Sequence, residues 1–121
     1  MSRQEMPDNQ RQVFLDNLVS GAAAHLILAP GIKACALHAG KRPGMALHVA
    51  RSALQAGQLQ QVLERRFELA VVFDGCFIYL DAQDALVIWH ALPAANDALD
   101  GLLSRMLSLA NLQALDTRST C

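Results

Sequence analysis

The apolar positions of this chain change period several times, and each change marks a predicted element. In QVFLDNLVSGAAAHL, Phe14, Leu18, Ala22 and Leu26 recur at helical spacing with Leu15 and Val19 beside them, which predicts a first helix. Asp8 or Asn9 is placed to cap it, because a short side-chain oxygen there accepts from the unpaired amides of the first turn. Gly21 is expected to weaken this helix without ending it. Strand-like runs follow. HLILA enters the turn pair Pro30-Gly31, IKACALH returns, AGKRPG is dense in turn formers, and MALHVA alternates Met45, Leu47 and Val49 against Ala46, His48 and Ala50. Alternation of that kind puts the large apolar side chains on one sheet face and the small or polar ones on the other.

The second half repeats the order. A helix is predicted over 53–69, with Ser52 and Gln55 resembling a capping box and Gly57 able to delay the start. Its apolar face is Leu59, Val62, Leu63, Phe67 and Ala70, and its wet face Gln60, Gln61, Glu64, Arg65 and Glu68. The β-branched run AVVF then predicts a strand turning at Asp74-Gly75 into CFIYL. A four-residue turn, Asp81–Asp84, leads to ALVIWHAL, which Pro93 stops. Asn96 caps a last helix, and Asp97 and Asp100 sit in its first turn, where the helix dipole favours negative charge. That helix carries Leu99, Leu102, Leu103, Met106, Leu107, Leu109, Ala110 and Leu112, an apolar arc wide enough to be sandwiched within the domain or packed on another chain. The predicted order is α-βββ-α-βββ-α. Short turns between adjacent strands favour antiparallel pairing, so the expected class is α+β, with three helices on an antiparallel sheet. A single domain is expected over 10–115, with 1–9 and 116–121 as flexible ends.

Composition adds one element to this picture. The 121 residues suffice for a core burying roughly two thirds of the unfolded surface. They are 53% hydrophobic and 17% charged, against about a quarter charged in an ordinary soluble domain. Either the core is unusually large, or apolar surface is left for a partner. A net charge of −1, with basic pairs only at Lys41-Arg42 and Arg65-Arg66, argues against nucleic acid, and both pairs are expected to be solvated surface. The polar start MSRQEMPDNQ predicts no secretory leader, and no apolar run approaches a membrane span. Cys35, Cys76 and Cys121 are odd in number and widely spaced, which fits a cytoplasmic protein better than a disulfide framework.

Reactive chemistry is sparse. His25, His38, His48 and His90 form no metal-binding spacing; His38 and His48 can face each other across a hairpin, but two histidines alone make a poor zinc site. A thiol or histidine enzyme would need an activated Cys35 or Cys76, and both lie in apolar strands where burial raises a thiol's pKa. Asp74, Asp81 and Asp84 sit where aspartate serves turns, there is no phosphate-binding glycine motif, and Trp89 and Tyr79 are expected to pack in the sheet. No catalytic, cofactor-binding or metal residues are predicted.

FIYLDAQDALVIWHALP, NDALDGLLSRMLSLANL and LQQVLERRFELA, in this order of elements, resemble the small class I chaperones of bacterial type III secretion systems. The likeness covers about residues 12–113. A near-neutral charge and an alanine-rich first helix bring the chain closer to the HrpV/HrpG regulatory subgroup, as do KRPGMALHV, LERRFELA and LVIWHALP. The resemblance implies a cytoplasmic, non-enzymatic protein that binds partner polypeptides without a cofactor. The captive would be a secreted effector, a secretion component or, for an HrpV-type anti-activator, the enhancer-binding activator of secretion genes. It also implies a homodimer, or a heterodimer with a similar protein, in which the middle helix takes part. On this basis Leu37, Leu47 and Val49 are the candidate partner-binding residues, and Leu59, Val62, Leu63 and Phe67 the candidate dimer interface. The alternative for each is a plain core position.

Overall fold

The computed structural model describes residues 7–95 and 98–116, with side chains from Gln10 onward. Among these residues three α-helices and five strands are formed: α1 (Pro7–Ser20), β1 (His25–Ala29), β2 (Ile32–Ala36), β3 (Gly44–Val49), α2 (Gln58–Glu68), β4 (Phe77–Leu80), β5 (Leu86–Ala91) and α3 (Leu99–Leu109). The strands make one antiparallel sheet in the order β1-β2-β3-β5-β4. The class is the expected α+β, with one strand fewer. The capping side chains proposed at Asp8, Asn9 and Asn96, the first-turn Asp97, Cys121 and most of both flexible ends lie outside the described residues.

Register explains where the core sits. One rung across the sheet runs Leu26, Ala34, Leu47, Ile88 and Ile78; the next runs His25, Cys35, Ala46, Trp89 and Phe77. The first belongs to the main core, shared with Phe14, Leu15 and Leu18 of α1, Val62 of α2 and the buried leucines of α3. The helices therefore cover one face. The opposite face carries a separate small cluster of Ala46, Val87 and Trp89. α3 buries Leu99, Leu102, Leu103, Met106, Leu107 and Leu109 within the chain itself, so its wide apolar arc is sandwiched in the domain.

Two elements differ from expectation. Gly21 ends α1: at φ 82° it takes the left-handed cap position, where Gly21 N–H donates to Leu18 O and Ala22 N–H to Asn17 O. The run AVVF forms no strand. Phe73 is 2% exposed and plugs the core, and the chain coils around it, with Phe73 N–H donating to Leu69 O and Cys76 N–H to Phe73 O. Burying one phenylalanine outweighs the modest strand preference of its valine neighbours. Asp74-Gly75 therefore closes this coil rather than a hairpin.

The Asp81–Asp84 turn is formed as predicted. Asp81 Oδ1 accepts the backbone N–H groups of Gln83 (2.8 Å) and Ala85 (3.0 Å), and Oδ2 lies 3.2 Å from His48 Nε2. The Ala85 amide first, then the Gln83 amide and His48, hold this carboxyl below the usual carboxylate range. A lowered folded-state pKa stabilises the fold above the unfolded value, and that stability is lost as pH falls through the folded one. Acidification below about pH 4 is therefore expected to destabilise the parent more than Asp81→Asn. Equal losses in thermal melts across that window would remove Asp81 from the account.

Candidate functional site

The predicted site residues separate into two groups. Leu47 and Val49 are fully buried under the helices. The alternation that singled them out identifies the covered face of the sheet, so they form core rather than a partner groove. Leu37 lies past the end of β2 and is exposed.

On α2, Val62 is buried and Leu59 half-buried, while Leu63 is 48% and Phe67 84% exposed. Polar anchors set this rotation. Gln58 is buried, accepts Gln55 N–H at 2.9 Å and donates to Ala110 O at 2.9 Å, which ties the start of α2 to the end of α3. Arg65 lies over the Phe73 ring, 5.8 Å from its centroid, and Arg66 Nε donates to Cys76 O. The Arg65-Arg66 pair is therefore half-buried, not solvated surface. Positions 58, 62, 65 and 66 form one helical stripe, and fixing it inward turns Leu63 and Phe67 toward solvent. The exposed stripe runs on into the coil after α2, where Leu69 is 42%, Val71 90% and Val72 48% exposed.

The second exposed apolar region is the open face of the sheet. Its two rungs are His25, Cys35, Ala46, Trp89 and Phe77, and Ile27, Lys33, His48, Val87 and Tyr79. Among the described residues no strand contains an Asp or Glu, although Asp81, just past β4, reaches His48 on this face. At the β4 end Trp89 lies against Gly44, stacks on Phe77 (centroids 6.0 Å, 26°) and donates Nε1–H to Leu37 O at 2.8 Å. Leu37, Phe77 and Trp89, with His38, Ala39, Arg42 and Tyr79, line a cavity of about 450 Å³. A further groove runs between α1 and β1, lined by Gln10, Val13, Asn17, His25 and Ile27 among others. Sequence reasoning missed the Trp89 cavity; the signal available was a small residue at 44 in a strand otherwise rich in bulky side chains.

Both described thiols are shifted away from the thiolate by burial. Burial pushes the Cys35 thiol up, against a smaller opposing pull from Lys33. Burial likewise raises Cys76, opposed by Arg105 and Arg66. His48 pairs in register with Lys33, not His38, and its ring meets Asp81. Among the described residues no group of three His, Cys, Asp or Glu side chains is placed to hold a metal ion, and no helix is long and apolar enough to cross a membrane.

These features define a small α+β domain whose helices cover one sheet face and whose distinguishing surfaces are apolar. A family model described as HrpV-like matches residues 3–115, nearly the whole chain, and the chain belongs to that family. Membership places it among the regulatory or chaperone-like proteins of type III secretion. No curated protein and no solved structure matches the chain.

Proposed function

We propose that this chain is a non-enzymatic, cytoplasmic protein-binding module of type III secretion that captures a secretion or regulatory polypeptide and associates with itself or a similar chain through α2. The observation that carries the reading is the exposed stripe of Leu63, Phe67, Val71 and Val72, with Phe67 84% and Val71 90% exposed. Fully burying one such side chain is worth about 1.5–3 kcal/mol, so a surface that leaves several uncovered is stabilised by a second polypeptide. The quiet thiols support a role without turnover. The groove between α1 and β1 and the unpaired edge of β4 offer a partner segment side-chain sockets or an added strand.

Phe67→Asp is expected to lower the mass seen in light scattering while leaving the monomer folded, because Phe67 lies outside the core. Leu63→Asp should act in the same direction. If parent and variants are folded and share one mass, α2 is not the interface. Affinity capture from cells carrying the secretion genes separates the roles. Recovery of a secreted effector supports a chaperone, recovery of the enhancer-binding activator supports an anti-activator, and recovery of neither defeats the reading.

A further inference from the structure

We propose that the Trp89 cavity is a docking socket for an acidic-apolar polypeptide segment, one that inserts an aromatic or long aliphatic side chain flanked by Asp or Glu. The inference rests on the protein-binding reading and adds the chemistry of the partner.

The floor is built rather than accidental. The indole is held by its bond to Leu37 O, by the Phe77 ring and by Gly44, where a Cβ would come within 2.3 Å of the ring. The rim is equally fixed. Ala39 and Arg42 exchange two backbone hydrogen bonds (2.9 and 3.1 Å) around the tight turn Gly40-Lys41, with Gly40 at φ 63°. Leu92 N–H donates to Pro43 O, tying the base of this hairpin to the end of β5. Trp89, 5% exposed, forms a nearly closed floor, while Phe77 (57%), Tyr79 (44%) and Leu37 (37%) stand as apolar walls. The volume of about 450 Å³ falls within the range of roughly 300–1,000 Å³ in which proteins hold ligands.

Charge decides which segment fits. Arg42 lines the cavity and Lys41 sits at the hairpin tip beside it, whereas no lining residue is acidic. An apolar socket with a one-signed cationic rim favours a carboxylate-flanked apolar side chain and repels a lysine-flanked one.

The chain has a single tryptophan, so its emission reports this site alone. The probe is a blocked synthetic peptide with a central Phe-Leu pair between Asp-Glu dipeptides; its control carries lysines at the acidic positions. The acidic peptide is expected to change Trp89 emission saturably and the lysine peptide not to. Arg42→Glu should weaken the acidic peptide about tenfold, since one attraction becomes one repulsion, while melting like the parent. Phe77→Ala should weaken it as well. Equal responses to both peptides, no response to either, or unchanged affinity in Arg42→Glu would overturn the proposal. So would a change of oligomeric mass in Arg42→Glu, which would make the occupant a second copy of the chain. A partner captured from cells equally by parent and Arg42→Glu would sink the socket and leave the protein-binding reading standing, whereas capture of no secretion protein by either would sink that reading itself.

Discussion

Arg11→Met should lower the melting temperature by roughly 10 °C, making it one of the most damaging single changes outside the apolar core. Arg11 is 4% exposed on the inner face of α1. Its Nε donates to Asp100 Oδ1 at 2.7 Å, Nη1 to Asp116 Oδ1 at 2.8 Å, and Nη2 to Asp100 O at 3.0 Å and Ser104 Oγ at 2.9 Å. One guanidinium thereby joins α1 to α3 and to the segment after the 3-10 turn Gln113–Leu115. Breaking a buried pair by removing one partner costs about 3–5 kcal/mol. Here the carboxylates retain 36% and 23% exposure, so water takes over part of their solvation and the lower end, about 3 kcal/mol, applies. Methionine keeps much of the stem packing and removes the head, which isolates the polar contribution. Arg11→Lys keeps a charge but cannot span two carboxylates, a hydroxyl and a carbonyl, and should fall between the two. A methionine variant melting within about 2 °C of the parent would show the network to be energetically neutral.

Arg11 also marks the limit of what hydrophobic patterning conveys. It occupies the same stripe as Phe14, Leu15 and Leu18, at i, i+3, i+4 and i+7, so position alone predicts an inward side chain. A count of apolar residues passes over it. The same blindness explains α2. Leu59, Val62, Leu63 and Phe67 form a plausible apolar arc, but Gln58 and the two arginines, held by specific acceptors and by the Phe73 ring, decide which part turns inward. Polar anchors of this kind depend on acceptors distant in the chain, as Ala110 is from Gln58.

Local signals conveyed much more. The order of the first three strands, the Pro30-Gly31 and Asp81–Asp84 turns and the leucine-rich last helix follow from period and turn chemistry, and all are present. Face assignment on β3 was legible too: Met45, Leu47 and Val49 do share a face. What alternation cannot say is whether that face is covered by the chain's own helices or by another chain, and this is why Leu47 and Val49 prove to be core. Gly21 was expected to leave the first helix running, and it ends it, for a related reason. Ala22 and Leu26 continue the helical spacing by coincidence, because Leu26 belongs to the covered face of β1. For AVVF, the deciding fact is long-range, namely that Phe73 has a place in the core.

Gly44→Ala should destabilise the fold by about 2 kcal/mol, although alanine is ordinarily neutral or better than glycine in a strand. The new Cβ would lie 2.3–2.4 Å from Cε2, Cζ2 and Nε1 of Trp89, closer than any real contact. The ring cannot step aside freely: moving it breaks the Nε1–H bond to Leu37 O and the stack on Phe77. Overpacking of this sort costs about 1–3 kcal/mol and loss of the indole hydrogen bond about 1 more, offset by about 0.4–1 from the lower entropy of the unfolded alanine chain. The displaced, lone tryptophan should also report the change directly, with emission shifted to the red of the parent's 5%-exposed indole. Trp89→Phe provides the decisive control. Alone it loses the indole bond and some buried area, but in the Gly44→Ala background it also removes the clash, so the double variant should be more stable than the sum of the two single losses by about 1–2 kcal/mol. Strict additivity in that cycle would mean that Gly44 and the indole do not constrain one another, and that the floor of the cavity is not held in the way its geometry indicates.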